Sequence, residues 1–207
     1  MIDQEKWNQG LPGAPGQGLL DGHEYVDLGL GVLWATCNVG ASSPDDPGQY
    51  FAWGETEPKE AYTEENYLGN GKTRIDSEDD PAQVHWGGPW RMPTWSELND
   101  LIHECDWKVY WRSGERPYCR VISKRNGNSI ILPRGGYRDE KDHEGDGKGH
   151  LWLSASLDED AGSASCLSVD YCHMWESDMI EHGRLSRYLG VPVRPVSGKA
   201  DGRKDEG

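Results

Sequence analysis

The chain has 207 residues and a formal net charge of −15, with 10 Trp, 9 Tyr and one Phe. Phosphate contact needs clustered Lys and Arg, so this charge excludes nucleic acid and anionic membrane surfaces as expected partners. Gly (27) and Pro (12) are frequent, and both residues oppose long helices. The composition therefore predicts a loop-rich domain with an aromatic core, and no apolar run is long enough to insert into a membrane.

The first segment, residues 1–22, is predicted to be a linker. Gly10-Leu-Pro-Gly-Ala-Pro-Gly16 places Gly at every third position. That spacing fits either a short collagen-like stretch, which would imply a homotrimer, or an ordinary Gly/Pro linker. The opening residues lack the basic and apolar stretches of a signal peptide. We expect the folded domain to span residues 23–196 and residues 197–207 to form a disordered tail.

Short strands are predicted at Tyr25-Val-Asp-Leu-Gly-Leu and Val32-Leu-Trp-Ala-Thr, before a long polar excursion over residues 55–80. A short helix is expected to begin at Asp80-Pro81, where Asp caps and Pro occupies the first helical position. The clearest helix is predicted over about residues 94–105. There Thr94-Trp-Ser-Glu is a capping box that precedes apolar residues at helical spacing.

A hairpin is predicted where Cys119-Arg-Val-Ile-Ser and Ser129-Ile-Ile-Leu flank an Asn-Gly pair. Further strands are expected at Leu151-Trp-Leu-Ser-Ala-Ser and Ala164-Ser-Cys-Leu-Ser-Val, and Val191-Pro-Val-Arg-Pro-Val closes the domain. Residues that alternate along a strand point to opposite faces. We therefore expect Leu167 and Val169 to point inward, and the side chains between and beside them to point outward: Cys166, Ser168 and Asp170.

Six segments, in this order, together resemble one known family. They are Tyr25-Val-Asp-Leu-Gly-Leu, Leu33-Trp-Ala-Thr-Cys-Asn-Val-Gly, Tyr50-Phe-Ala-Trp-Gly-Glu-Thr-Glu-Pro-Lys, Trp86-Gly-Gly-Pro-Trp-Arg-Met-Pro-Thr, Asn126-Gly-Asn-Ser-Ile and Val193-Arg-Pro-Val. Over about residues 24–196 the chain resembles the Fibrobacter succinogenes major paralogous domain family of gut bacteria and their phages. That family is related in fold to formylglycine-generating enzymes and C-type lectins. The resemblance implies a single α+β domain of the C-type lectin type, with short strands and long loops.

The resemblance also implies a binding function. The family supplies variable proteins to diversity-generating retroelements, in which a reverse transcriptase copies a template, randomises its adenines and overwrites the C-terminal coding segment. The phage major tropism determinant is a functional relative. We therefore expect a variable region over about residues 151–196 that binds a protein or glycan on a host cell. The protein would belong to a phage tail or a bacterial surface, with no cofactor, metal or catalytic residue.

Within this region, the resemblance separates a framework from a variable ligand-binding surface. The expected framework is Trp152, Ala164, Leu167, Val169, Trp175, Met179, Arg184 and Gly190. The expected ligand-binding residues are Cys166, Ser168, Asp170, Tyr171, Cys172, His173, Asp178, Ile180, His182, Leu185, Ser186, Tyr188 and Leu189. An Asn codon randomised at its two adenines could encode every one of these, but not Glu181. The expected binding anchors are Tyr171, His173, His182 and Tyr188, because rigid aromatic side chains dominate binding hot spots.

Two other functions remain open. One is a carbohydrate-binding lectin without diversification, although the motifs around Trp53, Trp86, Trp90 and Trp152 are more typical of a core than of a sugar platform. The other is an oxidase resembling the formylglycine-generating enzymes. That reaction would require Cys166 and Cys172 to converge as an activated pair, and the neighbouring residues do not match that enzyme's active site.

The sequence also bears on metals and disulfides. Asp142-His-Glu-Gly-Asp-Gly resembles the start of a calcium loop, but the position of the closing carboxylate is Leu153, so no calcium site is expected. The five cysteines form no Cys-x-x-Cys pair and show no zinc spacing. Their odd number predicts free thiols, buried as small apolar groups.

Overall fold

A computed structural model describes residues 16–69, 71–110, 116–140, 142–144, 152–157, 163–172 and 177–198, with the backbone alone for 142–144, 152–157, 170–172 and 177–179. Two α-helices, one 3-10 helical turn at Ser77–Asp79 and fifteen strands are present in these residues. The predominance of strands with few helices is consistent with the predicted α+β class. The strands are β1 Gln17–Leu20, β2 His23–Asp27, β3 Val32–Ala35, β4 Tyr50–Phe51, β5 Trp90–Arg91, β6 Cys105–Tyr110, β7 Tyr118–Ser123, β8 Ser129–Pro133, β9 Tyr137–Asp139, β10 Asp142–Glu144, β11 Trp152–Leu157, β12 Ser163–Cys172, β13 Ser177–Ser186, β14 Val191–Pro192 and β15 Val196–Gly198.

Both predicted helices are confirmed, and each has the cap that its sequence indicates. Helix α1 spans Pro81–Trp86 and is capped by Asp80. Helix α2 spans Trp95–Glu104, and its capping box is complete. The Glu97 amide donates to Thr94 Oγ1 at 3.3 Å, and the Thr94 amide donates to Glu97 Oε2 at 2.8 Å. Among the described residues, no helix is long and apolar enough to cross a membrane.

A five-stranded sheet joins the two ends of the described chain, in the order β1-β2-β3-β15-β5. Strand β15 is hydrogen-bonded to β3 on one side and to β5 on the other. The structure therefore differs from the predicted boundaries at both ends. Strand β1 lies inside the segment predicted as linker, and Ser197, predicted to begin the disordered tail, is completely buried. Strand β1 pairs with β2 across the two-residue turn Asp21-Gly22, in which both residues have positive φ, so the sequence did contain an Asp-Gly hairpin signal there. Strand β15 pairs with distant strands and has little local signal.

The predicted hairpin is confirmed as β7 and β8, which pair antiparallel. Its connection is longer than a two-residue turn, and only Gly127 has positive φ there, at 77°. The amides of Asn126 and Asn128 both donate to the backbone oxygen of Asp27 at 2.9 Å. Ser123 Oγ also donates to the Leu28 oxygen, at 2.7 Å. The Asn-Gly-Asn segment thus ties the hairpin to the connection between β2 and β3.

The core consists of two main apolar clusters with aromatic residues at their centres. One surrounds Trp34, the inner face of α2 and the β6–β8 sheet, whereas the other surrounds Trp53, Phe51 and the strand at Val191. Trp34, Trp53 and Trp90 are completely buried, which confirms the predicted core role of the latter two. Trp86 is half-buried, with its ring stacked on His23 at a centroid distance of 3.6 Å. Only the backbone of Trp152 is described.

Candidate functional site

The region predicted to vary contains a three-stranded sheet with β12 in the centre and β11 and β13 at its sides. Strands β12 and β13 pair antiparallel along their whole length, from Ser163 opposite Ser186 to Cys172 opposite Ser177. Leu167 lies opposite His182, and Ser168 opposite Glu181. Side chains on directly opposed residues share a face of the sheet, so this register assigns each described residue to one of two faces.

Strand β12 is buried on both faces from Ala164 to Val169. Leu167 and Val169 belong to the cluster around α2, whereas Ala164 and Cys166 belong to the cluster around Trp53. All described side chains from 164 to 169 are buried; Cys166 is 0% exposed and Ser168 7% exposed. The prediction that Cys166 and Ser168 point outward is therefore wrong. Side chains that alternate along a strand point to core and solvent in turn only where one face of the sheet is exposed to solvent.

Among the described side chains of this sheet, the exposed ones lie on strand β13. Glu181, His182, Arg184 and Ser186 are all exposed. Ile180 and Leu185 are half-buried and pack against the two core clusters, one on each face. Arg184 was expected to be part of the framework, and the structure corrects this, because its side chain is exposed. Of the described candidates, His182 and Ser186 are thus the exposed ones, and both lie on this strand at the edge of the sheet.

Strand β13 is followed by a turn that a buried arginine anchors to the core. Arg187 is buried, with its guanidinium carbon 4.3 Å from the centroid of the Trp53 ring, and it donates to the backbone oxygens of Gly69 and Lys72. The Trp53 amide donates to the Arg187 oxygen at 2.9 Å. Sequence reasoning did not identify this anchor, because an arginine in a polar segment resembles a surface residue.

The residues after Arg187 have different exposures. Leu189 is buried, at 7% exposure, so its predicted place on the ligand-binding surface is corrected. Tyr188 is half-buried and packs against a cluster that contains Tyr62. Gly190 lies directly over the Tyr62 ring, and a Cβ there would be 2.6 Å from ring carbons. Gly190 is therefore a framework position, as predicted, since a larger residue would displace the ring.

His182 has an aromatic neighbour that the sequence did not indicate. Its ring lies 4.1 Å from the Trp95 ring, at an interplanar angle of 33°, and its Nε2 is 3.3 Å from Ser165 Oγ. Trp95 is the first residue of α2 and is half-buried. An aromatic residue in the first helical turn signals only some tertiary contact. Proximity to β13 depends on how α2 packs on the sheet, which sequence periodicity does not specify.

The surroundings of Tyr188 are acidic. Burial raises the pKa of the Tyr188 hydroxyl, and the charges of Asp139, Glu64 and Glu65 raise it further. The hydroxyl therefore stays protonated and can donate a hydrogen bond throughout the physiological range. In this environment a ligand with a hydrogen-bond acceptor and a positively charged group would be favoured over an anion.

Several predicted site residues are described only in part. Asp170, Tyr171, Cys172 and Asp178 lie toward the far end of the β12–β13 pair, where the backbone alone is described; Tyr171 is opposite Asp178. His173 lies outside the described residues, as does the predicted framework residue Trp175; Met179 is described by its backbone alone. The structure thus positions their strands but says nothing of their side chains.

The residues of the alternative chemistries are described only in part. Residues 142–144 of the calcium-like segment form β10, which pairs with β9, and the rest of that segment lies outside the description. Where side chains are described, no group of three His, Cys, Asp or Glu could hold a metal ion. Cys105, Cys119 and Cys166 are buried free thiols, and Cys37 is a partly exposed one. Cys166 is completely buried, and only the backbone of Cys172, the other cysteine of the predicted pair, is described.

Comparison with known proteins adds no relative. No family model matches the chain, no curated protein is similar to it, and no solved structure resembles it.

Proposed function

We propose that this protein is a non-enzymatic ligand-binding domain of the C-type lectin type, whose C-terminal region displays a changeable recognition surface. The observation that carries the proposal is the difference in burial between two paired strands. Strand β12 is buried on both faces over residues 164–169, whereas β13 beside it exposes Glu181, His182, Arg184 and Ser186. Such an arrangement lets side chains on β13 change while β12 keeps the core intact.

The energetic difference between the strands is large. Substitutions at exposed positions usually change stability by less than about 0.5 kcal/mol. Truncation of a buried large apolar side chain costs about 2–5 kcal/mol. If a retroelement diversifies this gene, its randomised positions should therefore avoid residues 164–169 and concentrate on β13 and the turn after it. Tyr171, His173 and Asp178 remain part of the proposed surface on the family resemblance alone.

Among the described residues, the proposed binding surface consists of β13, Tyr188 and the Trp95 ring beside His182. It combines aromatic rings, an arginine and small polar groups, which is the composition of antibody-like binding surfaces. We propose a protein or glycan on a host cell as the partner, and a phage tail or a bacterial surface as the location. The homotrimer implied by the Gly triplets also remains a proposal.

Cell binding tests the proposed surface directly. The fluorescently labelled full chain is applied to a panel of gut bacterial strains, and bound protein is measured by flow cytometry. A variant with alanine at Glu181, His182, Arg184 and Ser186 should lose at least about tenfold in affinity, which corresponds to roughly 1.4 kcal/mol. If it binds the same strains equally well, the proposed surface is wrong.

The matched control for this experiment changes the same four residue types elsewhere. Arg74, Ser77, Glu78 and His103 are all exposed and lie outside the proposed surface. Their joint replacement by alanine removes the same side chains and should leave binding unchanged. Loss of binding in both variants would indicate a non-specific, charge-dependent contact.

The gene itself tests diversification. A near-repeat of the codons for residues 151–196, differing only where the template has adenine and lying beside a reverse-transcriptase gene, is the expected finding. Absence of such a repeat would reject diversification and leave the lectin alternative. Glycan-array binding that survives replacement of Tyr188 by alanine would then locate the sugar site elsewhere on the domain.

A further inference from the structure

The antiparallel pair of β6 and β7 has one face in the core and one toward solvent. Its inward side chains belong to or pack against the cluster around α2: Cys105, Trp107 and Val109 of β6, and Cys119 and Val121 of β7. Because side chains alternate along a strand, residues 106, 108 and 110 of β6 and 118, 120 and 122 of β7 form the opposite, outer face. Strands β12 and β13 contribute to the same cluster, so the outer face points away from both.

Two stacked tyrosine rings lie at one end of the outer face. Tyr110 is directly opposite Tyr118 in the strand register, and their ring centroids are 4.9 Å apart at an interplanar angle of 12°. Strand β6 is at the edge of its sheet, so Tyr118 covers one face of the Tyr110 ring and no strand of this sheet lies beyond the other. Tyr110 is 37% exposed. An aromatic ring that a neighbour holds in place can contact a ligand at low entropy cost.

Two cations lie beside the tyrosine rings. Lys108 is directly opposite Arg120, one two-residue step from the tyrosines, which is roughly 7 Å along the strand. Lys108 is exposed and Arg120 is half-buried, with its Nε donating to Ser129 Oγ at 3.1 Å. Neither cation forms an ion pair with any residue whose side chain the structure describes. Like charges directly opposite each other destabilise a strand pair, so a bound anion would stabilise this one.

Protection of a sheet edge does not explain this arrangement. Charges on an edge strand prevent it from pairing with other chains, but exposed aromatic rings beside them promote association. The chain also has 36 Asp and Glu for 21 Lys and Arg, so carboxylates to pair with the two cations are plentiful. The carboxylate of the outer face, Asp106, lies instead near Lys124, with Nζ 3.9 Å from its Oδ1. The middle of the outer face is therefore locally positive, and distant acidic residues are screened beyond about 8 Å at physiological salt.

We propose that the outer face of β6 and β7 is a second binding site, which takes a hexuronate unit of an acidic polysaccharide. The sugar ring packs on Tyr110, and Lys108 and Arg120 bind its carboxylate. A hexuronate fits because its charge is attached directly to its ring, just as the cation pair adjoins the tyrosine pair. Its single charge also matches the outer face, where two cations and Asp106 leave one positive charge. A nucleic acid would need a longer row of cations. This site does not depend on the proposed β13 surface.

Binding to polygalacturonate, alginate and hyaluronan, three polymers that contain hexuronate, tests the proposal. The full chain is immobilised, and its affinity for each polymer is measured by biolayer interferometry at physiological salt. Fully methyl-esterified polygalacturonate has the same rings without the charge, and it should bind at least about tenfold more weakly than the acid. Single-stranded polyadenylate, which offers rings and phosphates, should also bind more weakly. Failure to bind any of the three polymers, or equal binding of the ester or of polyadenylate, would overturn the proposal.

Variants whose fold is checked by thermal unfolding locate the site. Lys108→Gln combined with Arg120→Gln should lose at least about tenfold in affinity for the acidic polymer. Arg74→Gln combined with Arg184→Gln removes two exposed arginines elsewhere, with the same change in net charge, and should have no effect. Tyr110→Ala should also weaken binding, whereas Tyr110→Phe keeps the ring and should bind like the native chain. Unchanged binding by the first pair, or an equal loss in the control pair, would contradict the proposal.

The variant with four alanines on β13 separates this site from the proposed function. It should bind the acidic polymer like the native chain even where it no longer binds cells. A loss of polymer binding in that variant would place the polysaccharide on β13 and overturn the second site. Failure of the native chain to bind any bacterial strain, in contrast, would reject the proposed function and leave the polymer result unaffected.

Discussion

Replacement of Cys166 by asparagine tests the two-sided burial of β12 at a position expected from its sequence to vary. Asparagine is also the residue that an unmutated template codon would encode there under the diversification hypothesis. Cys166 is 0% exposed and lies in the cluster with Trp53 and Val193. Burying an amide without hydrogen-bond partners costs about 1–3 kcal/mol in proteins, and the larger side chain adds roughly 1–3 kcal/mol from overpacking.

We therefore expect Cys166→Asn to lower the free energy of unfolding by about 2–6 kcal/mol, with Tm falling by about 2–4 °C per kcal/mol for a chain of this size. Urea unfolding followed by tryptophan fluorescence measures the change. Cys166→Ala separates loss of the thiol from introduction of the amide, and Ser186→Asn makes an equally polar change on exposed β13. The latter should remain within about 0.5 kcal/mol. A Cys166→Asn protein as stable as Ser186→Asn would refute the burial of β12.

Three further changes test other contacts. Gly190→Ala places a Cβ 2.6 Å from the buried tyrosine ring beneath it, and overpacking should lower stability by about 1–3 kcal/mol in urea unfolding; a neutral effect would contradict the close approach. Asp80→Asn turns an amide donor toward the Met92 N–H, which donates to Asp80 Oδ2 at 2.7 Å, so thermal unfolding should show a loss of about 1–3 kcal/mol. Burial is the largest single influence on Glu97 and raises its pKa, but the hydrogen bond and charge of Arg91 and the hydrogen bonds of Thr94 together outweigh burial, so the pKa of Glu97 lies below the ordinary 4.5. The ionised Glu97 carboxylate therefore stabilises the fold above pH 4.5, and this stabilisation is lost as the pH falls through the lowered pKa. The difference in the free energy of unfolding between the native chain and Glu97→Gln should therefore shrink between pH 7 and pH 3. A difference that stays constant would refute the ion pair.

Local signals predicted the elements that local contacts determine. The capping box at Thr94 and the Asp-Pro pair at Asp80 each satisfy backbone groups within a few residues, so both helices could be predicted. The hairpin at Gly127 was predicted for the same reason. In each case the residues that signal the element also make its stabilising hydrogen bonds.

Contacts between distant parts of the chain explain most of the failures. Strand β15 forms because two distant strands offer it free edges, and its own sequence carries little preference. Strand β1 is different, because the Asp21-Gly22 turn that joins it to β2 is a local hairpin signal that was missed. The small side chains of β12 resemble an alternating, half-exposed strand, yet two separate clusters cover its faces. For the same reason Trp95 was missed and Arg184 was misassigned, since both depend on how α2 and β13 meet neighbouring elements.

The placement of β15 between β3 and β5 has a consequence for how the protein must be handled and made. A chain that ends before residue 196 leaves two edges with unpaired N–H and C=O groups where the last strand belongs. Such edges recruit strands from other molecules. Truncated products should therefore aggregate even though every residue of the exposed β13 surface is present. Strand β15 completes the sheet. A retroelement that rewrites the preceding codons would therefore have to leave the codons for β15 unchanged.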